Sequence, residues 1–139
     1  MSLYQKNQTC PEKEKEGVAL EYGLNSRGEK IVFMVAREGG RNTNYNKVAE
    51  VKFKPVRRQI QHNTIEPQVL DRMLAEVYAK VVVKSWQGVE DENDQPLPFN
   101  EENCLKILTD LPVVFDAIKE CARDYSQFLL EGLDDDAKN

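Results

Sequence analysis

Two neighbouring runs decide how this chain is organised: Val81-Val82-Val83-Lys84-Ser85-Trp86-Gln87-Gly88-Val89 and Asp94-Gln95-Pro96-Leu97-Pro98-Phe99-Asn100-Glu101-Glu102-Asn103. The first run predicts a helix that ends on the aromatic Trp86, with Gly88 as its C-terminal stop. The second predicts an acidic loop bounded by prolines, followed by a new helix that Asn100 caps. The chain is therefore expected to turn here, between a central helix and the helices that follow.

The residues before this turn predict the longest helix of the chain. Pro67 suits its first turn, because the N–H that proline lacks has no partner there. Apolar residues then recur at helical spacing and form a broad stripe: Val69, Leu70, Met73, Leu74, Val77, Tyr78, Val81 and Trp86. We therefore expect one continuous central helix that runs to Trp86.

The first half of the chain predicts a β-hairpin and a kinked helix. Residues 18–22 and 30–36 are rich in β-branched and aromatic residues, and a turn signal at 25–28 separates them. After a Gly-rich break, Thr43 or Asn44 is a natural N-cap for a helix. One face of this helix is apolar, with Tyr45, Ala49, Phe53, Val56 and Ile60. Pro55 is expected to kink it near Phe53.

Two helices are expected after the central turn. The first follows Asn100, and the second has Asp110 as its cap, Pro112 in its first turn and Gly132 at its end. These elements predict a mainly α fold, a domain of about four helices with a small N-terminal β-hairpin (α+β). Residues 1–16 are expected to be a flexible leader, 17–132 one globular domain, and 133–139 an acidic tail.

Recognisable catalytic and metal-binding signatures are missing from the sequence. His62 is the single histidine and lies in a polar turn, and Cys10, Cys104 and Cys121 have no CxxC spacing, which predicts free thiols. The loop from Asp91 resembles a calcium loop, but Pro96 stands where that loop needs a glycine. We expect no enzyme, no cofactor and no metal. No run is long enough to span a membrane, and no apolar signal segment precedes the hairpin.

The net charge of −5 is unevenly distributed along the chain. Seven basic and two acidic residues lie between Arg37 and Arg58, whereas fourteen acidic and four basic residues lie between Glu90 and Asn139. The basic segment has no alternating aromatic platform, so we expect no nucleic-acid binding. The asymmetry favours salt-sensitive self-association or a charged partner.

A partner-binding surface is expected on the central helix, because apolar residues surround more of the helix than a single core-facing stripe would need. The candidates are Tyr78, Val82 and Val83 on the central helix, with Trp86 at the edge and Arg57 and Arg58 as basic contacts. Two interpretations of Trp86 remain open: it closes the core at the helix end, or it anchors a partner.

Several motifs together resemble the tail assembly chaperones of long-tailed siphophages. The resemblance begins at residues 17–22, which look like the first strand of that family, and at Phe33-Met34-Val35-Ala36-Arg37. It continues through Lys54-Pro55-Val56-Arg57-Arg58-Gln59-Ile60, Lys84-Ser85-Trp86-Gln87-Gly88-Val89, Pro98-Phe99-Asn100-Glu101-Glu102-Asn103 and Ala122-Arg123-Asp124. The segment 39–43 departs from the family pattern, in which a shorter turn is expected.

The resemblance implies a non-enzymatic assembly factor in the bacterial host cytoplasm. Such a chaperone holds the tape measure protein soluble, is displaced as tail tube protein polymerises, and is missing from the finished virion. The alternative is a small structural tail or connector protein of the virion, which the same composition fits.

Overall fold

The computed structural model describes residues 2–130 of the chain. The first of these residues form two short helices, α1 (Leu3–Asn7) and α2 (Pro11–Glu16), in the range 1–16 for which the sequence predicts a flexible leader. Ser2 and Gln5 cap α1 reciprocally, and Thr9 pairs with Leu129 in an isolated β-bridge. The N-terminal segment therefore packs against the end of the described chain. The expected acidic tail, 133–139, lies outside the described residues.

Hydrogen bonds to one buried carboxylate hold this N-terminal segment against the rest of the domain. Glu14 on α2 is fully buried and accepts hydrogen bonds from the guanidinium of Arg37, from the hydroxyl of Thr9 and from the backbone N–H of Arg41. An ion pair with several additional hydrogen bonds satisfies a buried charge, which would otherwise be very costly. Composition alone gave no sign of this contact, because it joins residues that are far apart in sequence.

The sheet has three antiparallel strands in the order β1 (Val18–Leu24), β2 (Lys30–Val35) and β3 (Val83–Gln87). The first two strands are the predicted hairpin, which is confirmed. Leu20, Phe33 and Trp86 lie opposite one another across the three strands. This face of the sheet packs against the hydrophobic core.

The predicted fold class is wrong, because the sheet has a third strand and more than four helices pack around it. The central helix, α5 (Pro67–Val81), ends before Trp86, and the residues expected to continue it form β3. From Lys84 to Gln87 the side chains are alternately partly buried and exposed, as in a strand with one covered face. Gly88 does not end a helix: it has a φ of +75°, and a Cβ there would lie 2.3 Å from the carbonyl oxygen of Lys30.

The predicted kink at Pro55 is confirmed. Helix α3 (Thr43–Phe53) gives way to a 3-10 turn (Lys54–Val56), and α4 (Arg57–Gln61) follows. Proline has no N–H for the helical ladder, so the backbone tightens at this point. The side chain of Asn42 caps α3 and is buried, where it also donates hydrogen bonds to the carbonyl oxygens of Arg37 and Val81.

The last two helices begin close to the predicted positions, but Asp110 ends α6 and does not cap the second helix, which also ends early. The side chain of Asn100 caps α6 (Glu101–Asp110), and Pro112 begins α7 (Pro112–Arg123). The expected end at Gly132 is wrong, because the chain leaves α7 at Asp124 and forms a 3-10 turn (Tyr125–Phe128). Helix α5 contributes five buried residues to the core, and it contacts α3, α6 and β3. Across residues 2–130, no helix has the length and apolarity needed to cross a membrane.

Candidate partner-binding site

Three of the six predicted contact residues lie in the core. Tyr78 and Val82 are fully buried, and Val83 is 2% exposed. The apolar residues on the far side of the central helix are covered by other parts of this chain. The strands of the sheet and α7 pack where a partner was expected. Burial therefore removes these three side chains from any surface that a partner could contact.

Trp86 is half-buried in β3 and holds a loop against the sheet. Its indole N–H donates a hydrogen bond to the carbonyl oxygen of Leu97 over 2.8 Å. Its ring packs edge-on against Phe33 and Phe99, with centroid distances of 6.1 and 5.0 Å. These contacts hold the run 94–103 against the run 81–89, because the chain from 88 to 99 folds back over the tryptophan.

Arg57 and Arg58 are exposed at the start of α4, and Arg57 lines a groove. This α3–α4 groove has a volume of about 380 Å³. Its apolar floor consists of Tyr45, Ala49, Phe53 and Ile60. All four side chains are half-buried, so each rests on the protein with one side and faces solvent with the other. The sequence showed this apolar face but not that it stays partly open.

The apolar floor continues across the kink at Pro55 from one helix to the next. Tyr45, Ala49 and Phe53 are four residues apart and lie on one face of α3. Ile60 of α4 follows Phe53 by seven residues, close to two helical turns, and lines the same groove beyond the 3-10 turn. Apolar residues at this spacing on both sides of a proline are the sequence signal that could have located this site.

The floor of the groove rests on a partly buried polar cluster. The ring of Tyr45 packs edge-on against that of Tyr78 at 6.5 Å, and the hydroxyl of Tyr78 donates to the carboxylate of Glu38. Arg123 binds the same carboxylate with two donors, at 2.7 and 3.1 Å. Burial, together with the charge of Glu38, raises the pKa of Tyr45 to about 12. Its hydroxyl therefore stays protonated at physiological pH.

Charges around the groove are mainly positive. Residues 43–61 contain five basic residues and a single acidic one, Glu50. The guanidinium of Arg57 lies 2.6 Å from the Glu50 carboxylate, so the acidic group is neutralised at the rim. Lys52 contacts Glu76 on α5. Within residues 2–130, Lys47, Lys54 and Arg58 have no salt bridge, and all three are exposed.

The calcium-like loop is held by its own backbone contacts. The Asp91 carboxylate accepts hydrogen bonds from the backbone N–H groups of Asn93 and Gln95, at 2.8 and 3.0 Å. Among the residues that the structure describes, no three His, Cys, Asp or Glu side chains are grouped so that they could hold a metal ion. His62 is exposed after the last turn of α4.

A second apolar groove, of about 650 Å³, lies beside α1. Leu3 and Tyr4 line it and are each 77% exposed, and Leu130 also lines it. Arg41 is the charged residue of this lining. This N-terminal groove lacks the clustered charge of the α3–α4 groove.

Comparison with known proteins finds a matching family. A family model described as YdaY prophage protein matches residues 40–139 of this chain, a range that includes the whole α3–α4 groove. The matched range leaves out α1, α2, β1 and β2. Neither a curated protein nor a solved structure matches the chain.

Proposed function

Because this chain belongs to the YdaY prophage protein family and is thus phage-derived, we propose that it is a phage tail assembly chaperone. It binds the tape measure protein in the host cytoplasm, promotes assembly of the tail tube protein around it, and leaves before the virion is complete. The resemblance of its motifs to the chaperones of siphophages supports this proposal, together with the prophage family.

One observation carries the proposal: the α3–α4 groove presents a line of half-buried apolar side chains on a helical surface. A tape measure protein is a long helical chain with apolar stripes, which aggregates unless those stripes are covered. An amphipathic helix is recognised by a groove of this kind through apolar anchors at helical spacing. Weak individual contacts then add up when several copies line the same chain.

Co-expression with the tape measure protein of the same prophage tests the proposal. We expect the wild-type chain to keep the tape measure protein in the soluble fraction and to co-purify with it. Ile60→Asp places a charge on the groove floor and should abolish co-purification. Val51→Asp is the matched control, because Val51 lies on α3, which also forms the groove, but is 75% exposed and outside the groove lining. Equal losses with both variants, or no co-purification of the wild type, would refute the proposal.

The alternative is a small structural tail or connector protein. Mass spectrometry of purified virions separates the two functions. A chaperone should be missing from the particles, whereas a structural component should be present in them at a fixed ratio to the tail tube protein.

A further inference from the structure

The α3–α4 groove also indicates which kind of helix it accepts. Its floor extends from Tyr45 to Ile60, which at about 1.5 Å per helical residue is a strip about 20 Å long. A helical segment of about four turns covers such a strip. The apolar side chains of that segment must recur at three- and four-residue spacing to follow the floor.

The charged residues at the rim of the groove restrict which helix can bind there. Arg57 lines the groove, while Lys54 and Arg58 are exposed next to it in the chain, at the end where α4 begins. Glu50 is the acidic residue of this lining, and Arg57 already pairs with it. The groove therefore combines an apolar floor and a paired Arg57 and Glu50 with two further exposed cations, Lys54 and Arg58, beside it in the chain.

We infer that the α3–α4 groove selects an acidic amphipathic helix, with carboxylates flanking its apolar stripe at the end that meets Arg57. This inference rests on the proposed function and states the chemical character of the tape measure segment that would be bound. Complementary charge speeds association and rejects wrong partners, while the apolar floor supplies most of the affinity. A partner carboxylate near Arg57 competes with Glu50 and makes a charge-assisted bond at the rim.

Nucleic acid fits this surface less well than an acidic helix does. Phosphate groups would meet the cations of α4, but the bases would have to cover an apolar strip whose aromatic residues are half-buried. The chain as a whole is acidic, with a net charge of −5. Competition by single-stranded DNA is therefore included in the test.

The test uses the full chain and two labelled helical peptides of about 18 residues, with identical leucine stripes. One peptide has glutamates beside the stripe and the other has lysines. Binding is followed by fluorescence anisotropy at low and at moderate salt. We expect the glutamate peptide to bind at least about tenfold more tightly than the lysine peptide, with the difference shrinking as salt screens the rim.

Arg57→Glu should weaken binding of the glutamate peptide at least about tenfold and improve binding of the lysine peptide. Arg72→Glu is the matched control, since Arg72 is similarly exposed (57% against 50%) and also pairs with a glutamate. It lies outside the α3–α4 groove and should leave both affinities unchanged. Equal affinity for the two peptides, equal effects of the two variants, or full displacement by single-stranded DNA would overturn the inference.

The inference and the proposed function fail in different ways. If the tape measure protein co-purifies but Arg57→Glu does not weaken that complex, the chaperone function stands and the charge selection is refuted. If the glutamate peptide binds with the expected dependence on Arg57 but the tape measure protein does not bind, the chaperone function is refuted and the selectivity of the groove stands.

Discussion

The hydroxyl of Tyr78 donates a hydrogen bond to the carboxylate of Glu38 over 2.8 Å, in the cluster that supports the floor of the α3–α4 groove. Burial, followed by the negative charge of Glu38, raises the pKa of Tyr78, so this hydroxyl remains a donor. Arg123 holds the carboxylate from its other side. The groove thus rests on a polar contact that links α5, the segment after β2, and α7.

Tyr78→Phe is expected to lower the free energy of unfolding by about 1–2 kcal/mol, because it leaves a largely buried carboxylate with one donor fewer. Urea denaturation of the purified chain measures this difference. Tyr125→Phe serves as the control, since Tyr125 is 50% exposed and should change stability very little. Equal stability of the wild type and the Tyr78 variant would show that the contact contributes nothing.

Trp86→Ala distinguishes the two interpretations of the tryptophan. Because Trp86 packs between Phe33 and Phe99 and donates to Leu97, its loss should cost about 3 kcal/mol of folding free energy. Thermal unfolding followed by circular dichroism measures this loss. If the variant instead kept wild-type stability and lost only co-purification with the tape measure protein, Trp86 would be a partner anchor and not a core residue.

Local patterns in the sequence predicted much of the secondary structure. The hairpin, the kink at Pro55, the Asn100 cap and the start at Pro112 each depend on neighbouring residues, so the sequence contains their cause. Strand β3 depends on a distant partner. Residues after Val82 satisfy their backbone groups by pairing with β2, about fifty residues earlier, and helical periodicity in the sequence cannot reveal that partner.

The candidate site was predicted only in part, for a related reason. An apolar run such as Val81-Val82-Val83 suggests either a covered core or an open surface, and only the packing of the sheet and α7 decides between them. Arg57 was identified from its charge, but the groove that it lines is formed by residues of both α3 and α4 in the folded chain. Partial exposure of the floor is a property of three-dimensional packing.

Gly88→Ala should cost far more stability than Gly28→Ala. Both glycines have a positive φ, +75° and +77°, so the backbone strain of an alanine is about 1 kcal/mol at either position. Only at Gly88 would the added Cβ collide with a backbone atom, the carbonyl oxygen of Lys30, whereas nothing lies within 4 Å at Gly28. Urea denaturation of both variants measures the difference. Similar losses would mean that backbone conformation and not close approach requires Gly88.

Glu14→Gln tests the contact that holds the N-terminal helices on the domain. The substitution removes the charge that pairs with Arg37 and replaces an acceptor with a donor next to the N–H of Arg41. Because the Arg37 side chain is 26% exposed, water relieves part of the penalty. We therefore expect a loss of about 2 kcal/mol at neutral pH, below the range for a fully buried pair. Glu12→Gln, on the exposed side of α2, is the control.

The pH dependence of the stability lost in Glu14→Gln tests this contact more specifically than its size at neutral pH. Burial alone would raise the pKa of the Glu14 carboxyl, but the hydrogen bonds from Arg37, Arg41 and Thr9 outweigh burial and hold the pKa below its ordinary value of 4.5. A group whose pKa is lower in the folded state stabilises the fold fully above its unfolded pKa, and this contribution is lost as the pH falls through the folded pKa. The difference in unfolding free energy between wild type and Glu14→Gln should therefore be constant above 4.5 and shrink below it. Urea denaturation across that pH range measures the difference. If it stayed the same down to the lowest pH at which both proteins fold, the Glu14 carboxylate would not be the group that docks the N-terminal helices.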